Sequence, residues 1–377
     1  MLQQPPLWFI LIAFICTIGP LVFFHEFGHY IVGRLFGVGA ETFSIGFGRE
    51  IVGWTDRRGT RWKIALLPLG GYVRFVGDMN PASAPDVTGV DVAPELRDKS
   101  FHHKPVWKRF LIVLAGPMAN FVLAIAIFAA FFAILGFPQT PSTIHALAPG
   151  GAAAQAGLLP GDRVVAIDGR ATSSFEDVAA YVSLRPNHDV SVEFVRDGQL
   201  RRVPARIASE VQIDNFGQRF EIGRLGLLAR GREYVELTPL ELVPTAATYT
   251  VKMTRSMIDG LWQIISGRRS IKDLGGPLKI AQIAGQQASL GAFEFTQLLA
   301  LFSINLGFIN LLPVPMLDGG HLLFYGIEAV RRRPVSLRVQ DWAFRGGLAL
   351  ILALLVFTTV NDLDSFGLWD RLGRLIG

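Results

Sequence analysis

Cysteine is nearly absent from this chain, which has 377 residues and a single cysteine, Cys16. One thiol cannot form an intrachain disulfide, so the fold must be stable without one even if part of it faces an oxidising compartment. Cys16 lies within a long apolar run, where we expect it to act as ordinary apolar filling.

Charge is also scarce, because only 18% of the residues are charged while half are hydrophobic and 28 are phenylalanine. This composition excludes an ordinary soluble enzyme. The first apolar run, residues 7–24, has no charged residue, no basic segment before it and no small-residue cleavage site after it. Those absences argue against a cleaved signal peptide, so we expect this segment to stay attached.

Uncharged stretches near the ~20 residues that span a bilayer predict the membrane segments. The four stretches are residues 7–24, 110–137, 295–317 and 346–360. The last is short, but it spans if Trp342, Ala343 and Phe344 are added and Arg345 extends its charge toward the headgroups. The sequence therefore predicts a polytopic α-helical membrane protein with four transmembrane helices.

Basic residues crowd two loops of this arrangement and predict its orientation. They are Arg97, Lys99, Lys104, Lys108 and Arg109 before the second span, and Arg331, Arg332, Arg333 and Arg338 between the third and fourth. Both loops should be cytoplasmic, which places the termini and the long segment between spans two and three on the other side. The sequence pI of about 9.5 is thus a topology signal, and we expect no nucleic-acid partner.

A metal-binding pattern closes the first span, where residues 25–29 read His-Glu-Phe-Gly-His. Histidines four apart share one helix face, so His25 and His29 can offer two imidazole nitrogens to one metal ion. Glu26 beside them would handle the protons of a hydrolytic reaction. A chance match, or histidines that satisfy polar neighbours, is the alternative. It is disfavoured because such groups at membrane depth cost about 2 kcal/mol or more without a partner.

The third ligand is predicted in residues 310–320, Asn-Leu-Leu-Pro-Val-Pro-Met-Leu-Asp-Gly-Gly, at the end of the third span. The prolines break helical hydrogen bonding and the glycines permit close approach. Asp318 could instead cap a helix, but a two-histidine site that lacks an anion favours Asp318 as a ligand, and such a donor set makes zinc the default metal. Asn310 could donate to the substrate or the oxyanion. His321 is a weaker ligand candidate and better suited to a cap or to support of a ligand.

Together, the HEFGH and NLLPVPMLDGG segments resemble the site-2 protease family of intramembrane zinc metalloproteases, in particular the bacterial regulator-of-sigma-E protease type. Residues 43–48, 68–73, 114–120 and 275–278 extend the resemblance over nearly the whole chain. It implies that His25, His29 and Asp318 bind Zn²⁺ and that Glu26 is the catalytic base. It also implies single-span membrane substrates in the bacterial inner membrane, such as anti-sigma factors or remnant signal peptides, cut after another protease trims their outer domain.

Between spans two and three, the composition changes to that of a soluble, β-rich domain. A Pro-Gly-Asp turn at 160–162, an apolar strand at 164–167 and Asp-Gly turns at 168–169 and 197–198 resemble a bacterial PDZ domain, residues 139–208. Such domains bind a peptide C-terminus or an extended segment at a sheet edge. A β-rich spacer without a ligand is the alternative. The best-known members of the family carry two PDZ domains, whereas one fits here.

Two further segments are predicted to lie against the lipid bilayer. Alternating residues around 57–59 predict a hairpin with strands 51–54 and 61–66, which we hypothesise dips toward the metal and offers its edge to a substrate strand. A solvated linker hairpin is the alternative. Residues 238–267 mix apolar and charged residues, which predicts an amphipathic helix at the membrane surface.

The predicted domain order combines these segments with an inserted extracytoplasmic PDZ domain. The boundaries are 1–36 (first helix), 37–105 (β-hairpin region), 106–138 (second helix), 139–208 (PDZ domain), 209–291 (linker strands and surface helix), 292–330 (third segment) and 331–377 (loop, fourth helix and tail). A PDZ-bearing scaffold and a metal-ion transporter are the alternative functions. Glu26, which a structural site would not need, argues against the first. One closed metal centre and a PDZ domain argue against the second.

Overall fold

The computed structural model divides into two compact units. The described residues are 5–77, 94–172, 174–183, 185–213, 219–229, 231, 233–266, 271 and 275–365. One unit, here called the helical unit, consists of Met1–Phe128, Thr245–Trp262 and Ser270–Gly377. The other, called the β-rich unit, consists of Ala129–Pro244 and Gln263–Arg269.

Helices and strands are numbered in chain order. The helices are α1 Leu7–Leu35, α2 Val106–Leu135, α3 Ala152–Gln155, α4 Phe175–Ser183, α5 Pro239–Ile265, α6 Pro277–Leu290, α7 Ala292–Leu311, α8 Asp318–Arg331 and α9 Leu337–Ser365. The strands are β1 Ala40–Thr55, β2 Arg61–Phe75, β3 Phe137–Gln139, β4 Ile144–Leu147, β5 Arg163–Ile167, β6 Arg170–Ala171, β7 Asp189–Arg196, β8 Gln199–Arg206, β9 Ala208–Ile213, β10 Arg219–Arg224, β11 Leu227–Ala229 and β12 Glu233–Val235.

Four of the described helices are long and apolar enough to cross a membrane: Leu7–Leu35, Val106–Leu135, Ala292–Leu311 and Leu337–Asp364. Each contains most of one predicted span, but the bounds differ. The first helix continues through the histidine motif to Leu35, and the fourth is much longer than 346–360. The third was predicted to reach residue 317 but ends at Leu311. It ends there because Pro313 and Pro315 lack the N–H groups that a continuing helix needs.

The predicted hairpin is part of a larger β-sheet. Phe43 in the first half of β1 pairs with Val73 on one side and with Trp62 on the other, and Trp54 in the second half also lies opposite Trp62. The paired segments therefore lie in the order 52–55, 61–64, 42–45 and 71–75. Among the described residues, 71–75 pairs on one side only, so it is an edge of the sheet.

This sheet packs against the membrane helices through an aromatic core. Phe43 is 1% exposed and stacks on Trp62 with ring centroids 4.3 Å apart, while Tyr30 of α1 contacts both rings. Ile112 of α2 is fully buried in the same cluster. Aromatic pairs of this kind bury large apolar areas in defined geometries. The sheet is therefore held against α1 and α2 and is not a free linker hairpin.

The β-rich unit contains a four-stranded antiparallel sheet in the order β6-β5-β7-β8. Its core includes Ile167, Val192 and Phe194, each at most 1% exposed, and Val178 from α4 packs on them. Both predicted Asp-Gly turns are present, since Asp168 and Asp197 adopt positive φ angles of 50° and 52° and glycine follows each. Such turns match the twist of paired strands.

The predicted boundary at residue 208 is wrong. Strand β11 returns to pair with β4, and β12 pairs with β3. Leu225, 3% exposed, lies in the same core as Ile144. Without the later strands, β4 and β3 would lose backbone hydrogen-bond partners, so the residues called linker strands belong to this unit. The surface helix predicted at 238–267 corresponds to α5, Pro239–Ile265, and Gly267 lies outside the described residues.

Asp162 is a buried anchor of the β-rich unit and supports a stability prediction. Its side chain is 1% exposed, and Arg196 donates to it from Nε and Nη2, each at 2.7 Å. The Leu159 N–H donates at 2.8 Å. Burial raises the pKa of this carboxyl, but these hydrogen bonds outweigh it and hold the pKa below its usual value. Asp162→Asn should lower the free energy of unfolding of the β-rich unit by about 2–3 kcal/mol, because it leaves Arg196 without its anionic partner.

The measurement is hydrogen exchange of β5 and β7 in the full chain, with Asp189→Asn, an exposed carboxylate on β7, as the control. A depressed folded-state pKa means that the stabilisation is complete above the usual aspartate pKa and is lost as the pH falls through the lowered value. Wild-type protection should therefore fall in acid along a slope that Asp162→Asn lacks. Equal protection of the wild type and Asp162→Asn at neutral pH would contradict the prediction.

Candidate metal centre

Two histidines of α1 meet on one face of the helix. The sequence places His25 and His29 one turn apart, and their Nε2 atoms lie 3.3 Å from each other. The side chains are 10% and 11% exposed, so the two rings are largely shielded from solvent. The helix alone brings these nitrogens together, as the spacing of four residues requires.

Asp318, the first residue of α8, completes the cluster. Its Oδ2 atom lies 3.0 Å from Nε2 of His25 and 3.4 Å from Nε2 of His29. Ligand atoms about 2.0–2.2 Å from a tetrahedral zinc ion lie about 3.3–3.6 Å from one another. The separations of 3.3 and 3.4 Å fall in that range, and the His25–Asp318 separation of 3.0 Å is slightly shorter. Among the described residues, these three form the one group of His, Cys, Asp or Glu donors within 4.8 Å of one another. Two imidazoles and one carboxylate are a donor set that suits Zn²⁺ and leaves one coordination position open.

The turn between α7 and α8 is folded tightly and aims Asp318 at the histidines. Met316 has a φ of 83°, unusual for a residue with a side chain. A Cβ atom on Gly319 would lie 2.2 Å from the Leu312 carbonyl oxygen, and one on Gly320 would lie 2.5 Å from the Val314 oxygen. Only glycine permits this approach, which explains the Gly-Gly pair after the aspartate.

Helix α2 holds His29 from the other side. Nδ1 of His29 lies 2.9 Å from the carbonyl oxygen of Ile112, which can only accept, so Nδ1 carries the proton and Nε2 is free to bind a metal. A Cβ on Gly116 would lie 2.1 Å from Nε2 of His29, and one on Gly28 would lie 2.3 Å from the Ala115 oxygen. Small residues therefore let α1 and α2 approach closely enough to build the site.

Asn120 contacts the other histidine, although it was not among the predicted site residues. It is fully buried on α2, and its Nδ2 lies 3.1 Å from Nδ1 of His25. The hydroxyl of Ser303 on α7 donates to the backbone carbonyl oxygen of Asn120 at 2.7 Å. A polar side chain in an apolar segment needs a polar partner. The position of Asn120 within the apolar run 110–137 could therefore have marked it as a residue of the site.

Glu26 is placed beside the three ligands without being one of them. The backbone of Val73, in the edge segment of the sheet, lies close to its carboxylate. A Cβ on Gly71 would lie 3.0 Å from Cγ of Glu26 and 2.6 Å from the Ser44 oxygen. The edge of the sheet therefore lies directly against the predicted catalytic base.

The remaining candidates lie outside the cluster. Asn310 is half-buried in the last turn of α7, and none of the hydrogen bonds described joins it to the three ligands. His321 is buried on α8 with its ring 5.0 Å from that of Phe344, so it packs among aromatic side chains. Cys16 is exposed on the surface of α1.

Comparison with known proteins is consistent with this centre. Residues 13–354 match the sequence model of peptidase family M50. A Rhizobium meliloti protein whose name describes it as a candidate zinc metalloprotease is 45% identical over 360 residues, which cover 93% of this chain and 96% of that protein. Metalloprotease MmpA of Caulobacter vibrioides is 37% identical over 390 residues, 97% of this chain and 98% of that protein.

Among solved structures, the PDZ domain of an SdrC-like protein from Listeria innocua matches 25% of this chain and 98% of its own length, with 17% identity and a TM-score of 0.20. A similarity of this size carries no argument by itself. What is known of the β-rich unit therefore rests on its own strands and core.

Proposed function

The chain belongs to peptidase family M50, the site-2 protease family, and from this premise we propose that it hydrolyses peptide bonds in or near the transmembrane segments of single-span membrane proteins. One observation carries the proposal. His25, His29 and Asp318 converge on one point, with Glu26 beside them. The two histidines and Glu26 belong to α1, a helix that is long and apolar enough to cross a membrane. A hydrolytic centre would thus lie where soluble proteases do not reach.

His25, His29 and Asp318 would hold Zn²⁺, which the names of the relatives also support. Two neutral imidazoles and one carboxylate leave a net positive charge and an open position. When bound, zinc supplies Lewis-acid chemistry that polarises a carbonyl and makes water acidic enough to be deprotonated near neutral pH. The buried position of the ligands strengthens every electrostatic interaction in the site.

Glu26 would act as general base and then as general acid. Its carboxylate would take the proton of the attacking water and deliver it to the leaving amine. The sheet edge that packs against Glu26 at Gly71 and Val73 limits the side chain to few orientations, which reduces the entropy lost when it is aligned with the substrate. We further propose that Asn310 donates to the substrate carbonyl as it becomes an oxyanion.

The edge segment 71–75 would hold the substrate in an extended form. A peptide bond within a helix is shielded by its own hydrogen bonds, so it must unwind before attack. The segment pairs on one side only among the described residues, which leaves backbone groups for one added strand. Because this edge also contacts Glu26, an added strand would lie beside the catalytic base.

The β-rich unit would be a PDZ domain that binds a peptide C-terminus or an extended segment of the substrate. Its antiparallel sheet and flanking helix α4 support that proposal. The basic loops support a location in the bacterial inner membrane, with this unit on the extracytoplasmic side. There it would meet single-span substrates that another protease has already shortened, such as anti-sigma factors or remnant signal peptides.

Metal removal tests the proposal. The purified chain in detergent should cut a single-span substrate whose outer domain has been truncated, and a chelator should abolish the cut. Adding zinc back should restore it, whereas magnesium should not, because Mg²⁺ prefers six oxygen ligands. Cleavage that survives complete metal removal would contradict the proposal. Zinc binding without cleavage of any such substrate would favour a scaffold or transport role.

A further inference from the structure

A buried carboxamide lies against His25 at the ring nitrogen that does not face Asp318. Asn120 is fully buried, and its terminal amide is 3.1 Å from Nδ1 of His25. On the opposite side of the ring, Nε2 lies 3.0 Å from Asp318. The carboxamide therefore contacts Nδ1 of His25, on the side of the ring opposite the nitrogen that faces the other two ligands.

Metal binding dictates which ring nitrogen of His25 must carry the proton. A neutral imidazole has one N–H donor and one lone pair, and a metal ion requires the lone pair. Nε2 faces the other two ligands, so Nδ1 must keep its hydrogen and needs an acceptor. His29 meets the same requirement with the Ile112 carbonyl oxygen at 2.9 Å.

Asn120 is the group that can supply this acceptor to His25. In the structure its Nδ2 end faces Nδ1, while its Oδ1 is buried with no hydrogen-bond donor among the described residues. The two ends of a carboxamide have the same shape, and rotation about χ2 exchanges them. With Nδ2 toward the ring, Nδ1 would have to accept, and the proton would sit on Nε2, where it blocks the metal.

We infer that Asn120 is a positioning residue whose Oδ1 accepts the Nδ1–H of His25 and so keeps Nε2 free for the metal. The surroundings hold the residue in place. Ser303 donates to its backbone oxygen at 2.7 Å, and a Cβ on Gly307 would lie 3.4 Å from its Cβ. The inference rests on the proposed metal centre, but it concerns zinc affinity and not the hydrolytic step.

Removal of the acceptor should weaken zinc binding. Asn120→Leu keeps the same branched arrangement of side-chain heavy atoms but has no oxygen, so Nδ1–H would be buried without a partner whenever a metal is bound. Loss of such an outer hydrogen bond typically lowers metal affinity about 10- to 100-fold. Asn120→Asp keeps an oxygen for Nδ1–H and should bind zinc at least as tightly as the wild type.

The experiment titrates zinc into the metal-free full-length protein in detergent, in competition with a chromophoric chelator. Thr17→Val is the matched control, because Thr17 is a fully buried polar residue of α1 whose hydroxyl donates to the Ala13 oxygen of its own helix at 2.7 Å. At least a tenfold weaker affinity for Asn120→Leu, with near wild-type values for Asn120→Asp and Thr17→Val, supports the inference. Asn120→Ala replaces the leucine variant if the latter does not fold.

Two results would overturn the inference. The first is wild-type zinc affinity in Asn120→Leu. The second is an equal loss in Asn120→Asp, which would make the residue a packing element. A wild-type protein that binds no zinc would instead refute the proposed function, so the two failures are distinguishable.

Discussion

Glu26→Gln should retain zinc and lose proteolysis. The carboxamide has nearly the same shape, and Glu26 is not one of the three clustered ligands. However, an amide cannot take a proton from water at neutral pH. General acid–base catalysis contributes typically about 10²–10⁴-fold, so the rate of cleavage of the truncated single-span substrate should fall by at least about 10²-fold. Zinc content, measured by elemental analysis of the purified protein, should stay near one equivalent.

Glu294→Gln provides the control for this experiment, because it makes the same chemical change in the first turn of α7. It should leave both zinc content and cleavage unchanged. Substantial residual activity in Glu26→Gln would mean that another group acts as the base. Loss of zinc from the same variant would mean that Glu26 is a ligand, contrary to the geometry.

Gly116→Ala should empty the metal centre. The added methyl group would lie 2.1 Å from Nε2 of His29, the atom that must bind the ion. The imidazole has little room to retreat, since its Nδ1 is bonded to Ile112 and a Cβ on the adjacent Gly28 would already meet the Ala115 oxygen. We expect zinc affinity to fall more than the roughly 100-fold that outer-sphere changes cost, and cleavage to fall with it.

Gly19→Ala separates this effect from the general effect of alanine in a membrane helix. A Cβ on Gly19 of α1 would meet nothing within 4 Å. Because alanine is the better helix former by about 1 kcal/mol, neither substitution should weaken its helix as such. Both variants are compared by thermal unfolding without metal and by zinc titration. If Gly116→Ala binds zinc as tightly as Gly19→Ala does, the prediction is wrong, because a methyl group at residue 116 then does not displace the His29 ring.

These two variants address different parts of the centre. Glu26 acts on protons while the ligands stay in place, whereas Gly116 acts on the ligand geometry while the base stays in place. Asn120→Leu lies between them, since it should weaken zinc binding by a smaller factor. The order of zinc loss, from Gly116→Ala through Asn120→Leu to Glu26→Gln, is therefore a graded test of the whole arrangement.

The chemistry of the site could be predicted because it depends on local spacing. His25 and His29 are four residues apart on a helix, and that periodicity places both imidazoles on one face whatever surrounds them. Glu26 follows from the same motif. Asp318 was predicted as the third ligand because two histidines need an anionic partner and this aspartate lies beside two prolines and two glycines. In the structure its Oδ2 atom lies 3.0 Å from Nε2 of His25. The four predicted apolar spans also lie largely within the four long apolar helices.

Asn120, Gly116 and Val73 could not be assigned in the same way, because each acts on a residue distant in the chain. Asn120 meets His25 and Val73 meets Glu26 only after α2 and the sheet have packed against α1. The β-rich unit shows the same limit. An apolar run and two Asp-Gly turns predicted part of its sheet. The pairing of β11 with β4 joins segments that no such local signal relates, so its boundary was placed too early.

Side-chain chemistry and helical or strand periods were enough to predict the His25, His29 and Asp318 cluster, the place of Glu26 beside it, the apolar segments and the turns. Packing between elements was needed to learn which side chains lie behind the cluster, which strand edge meets Glu26, and where the β-rich unit ends. Close packing and buried hydrogen bonds are satisfied between elements, so their partners are set by the three-dimensional arrangement.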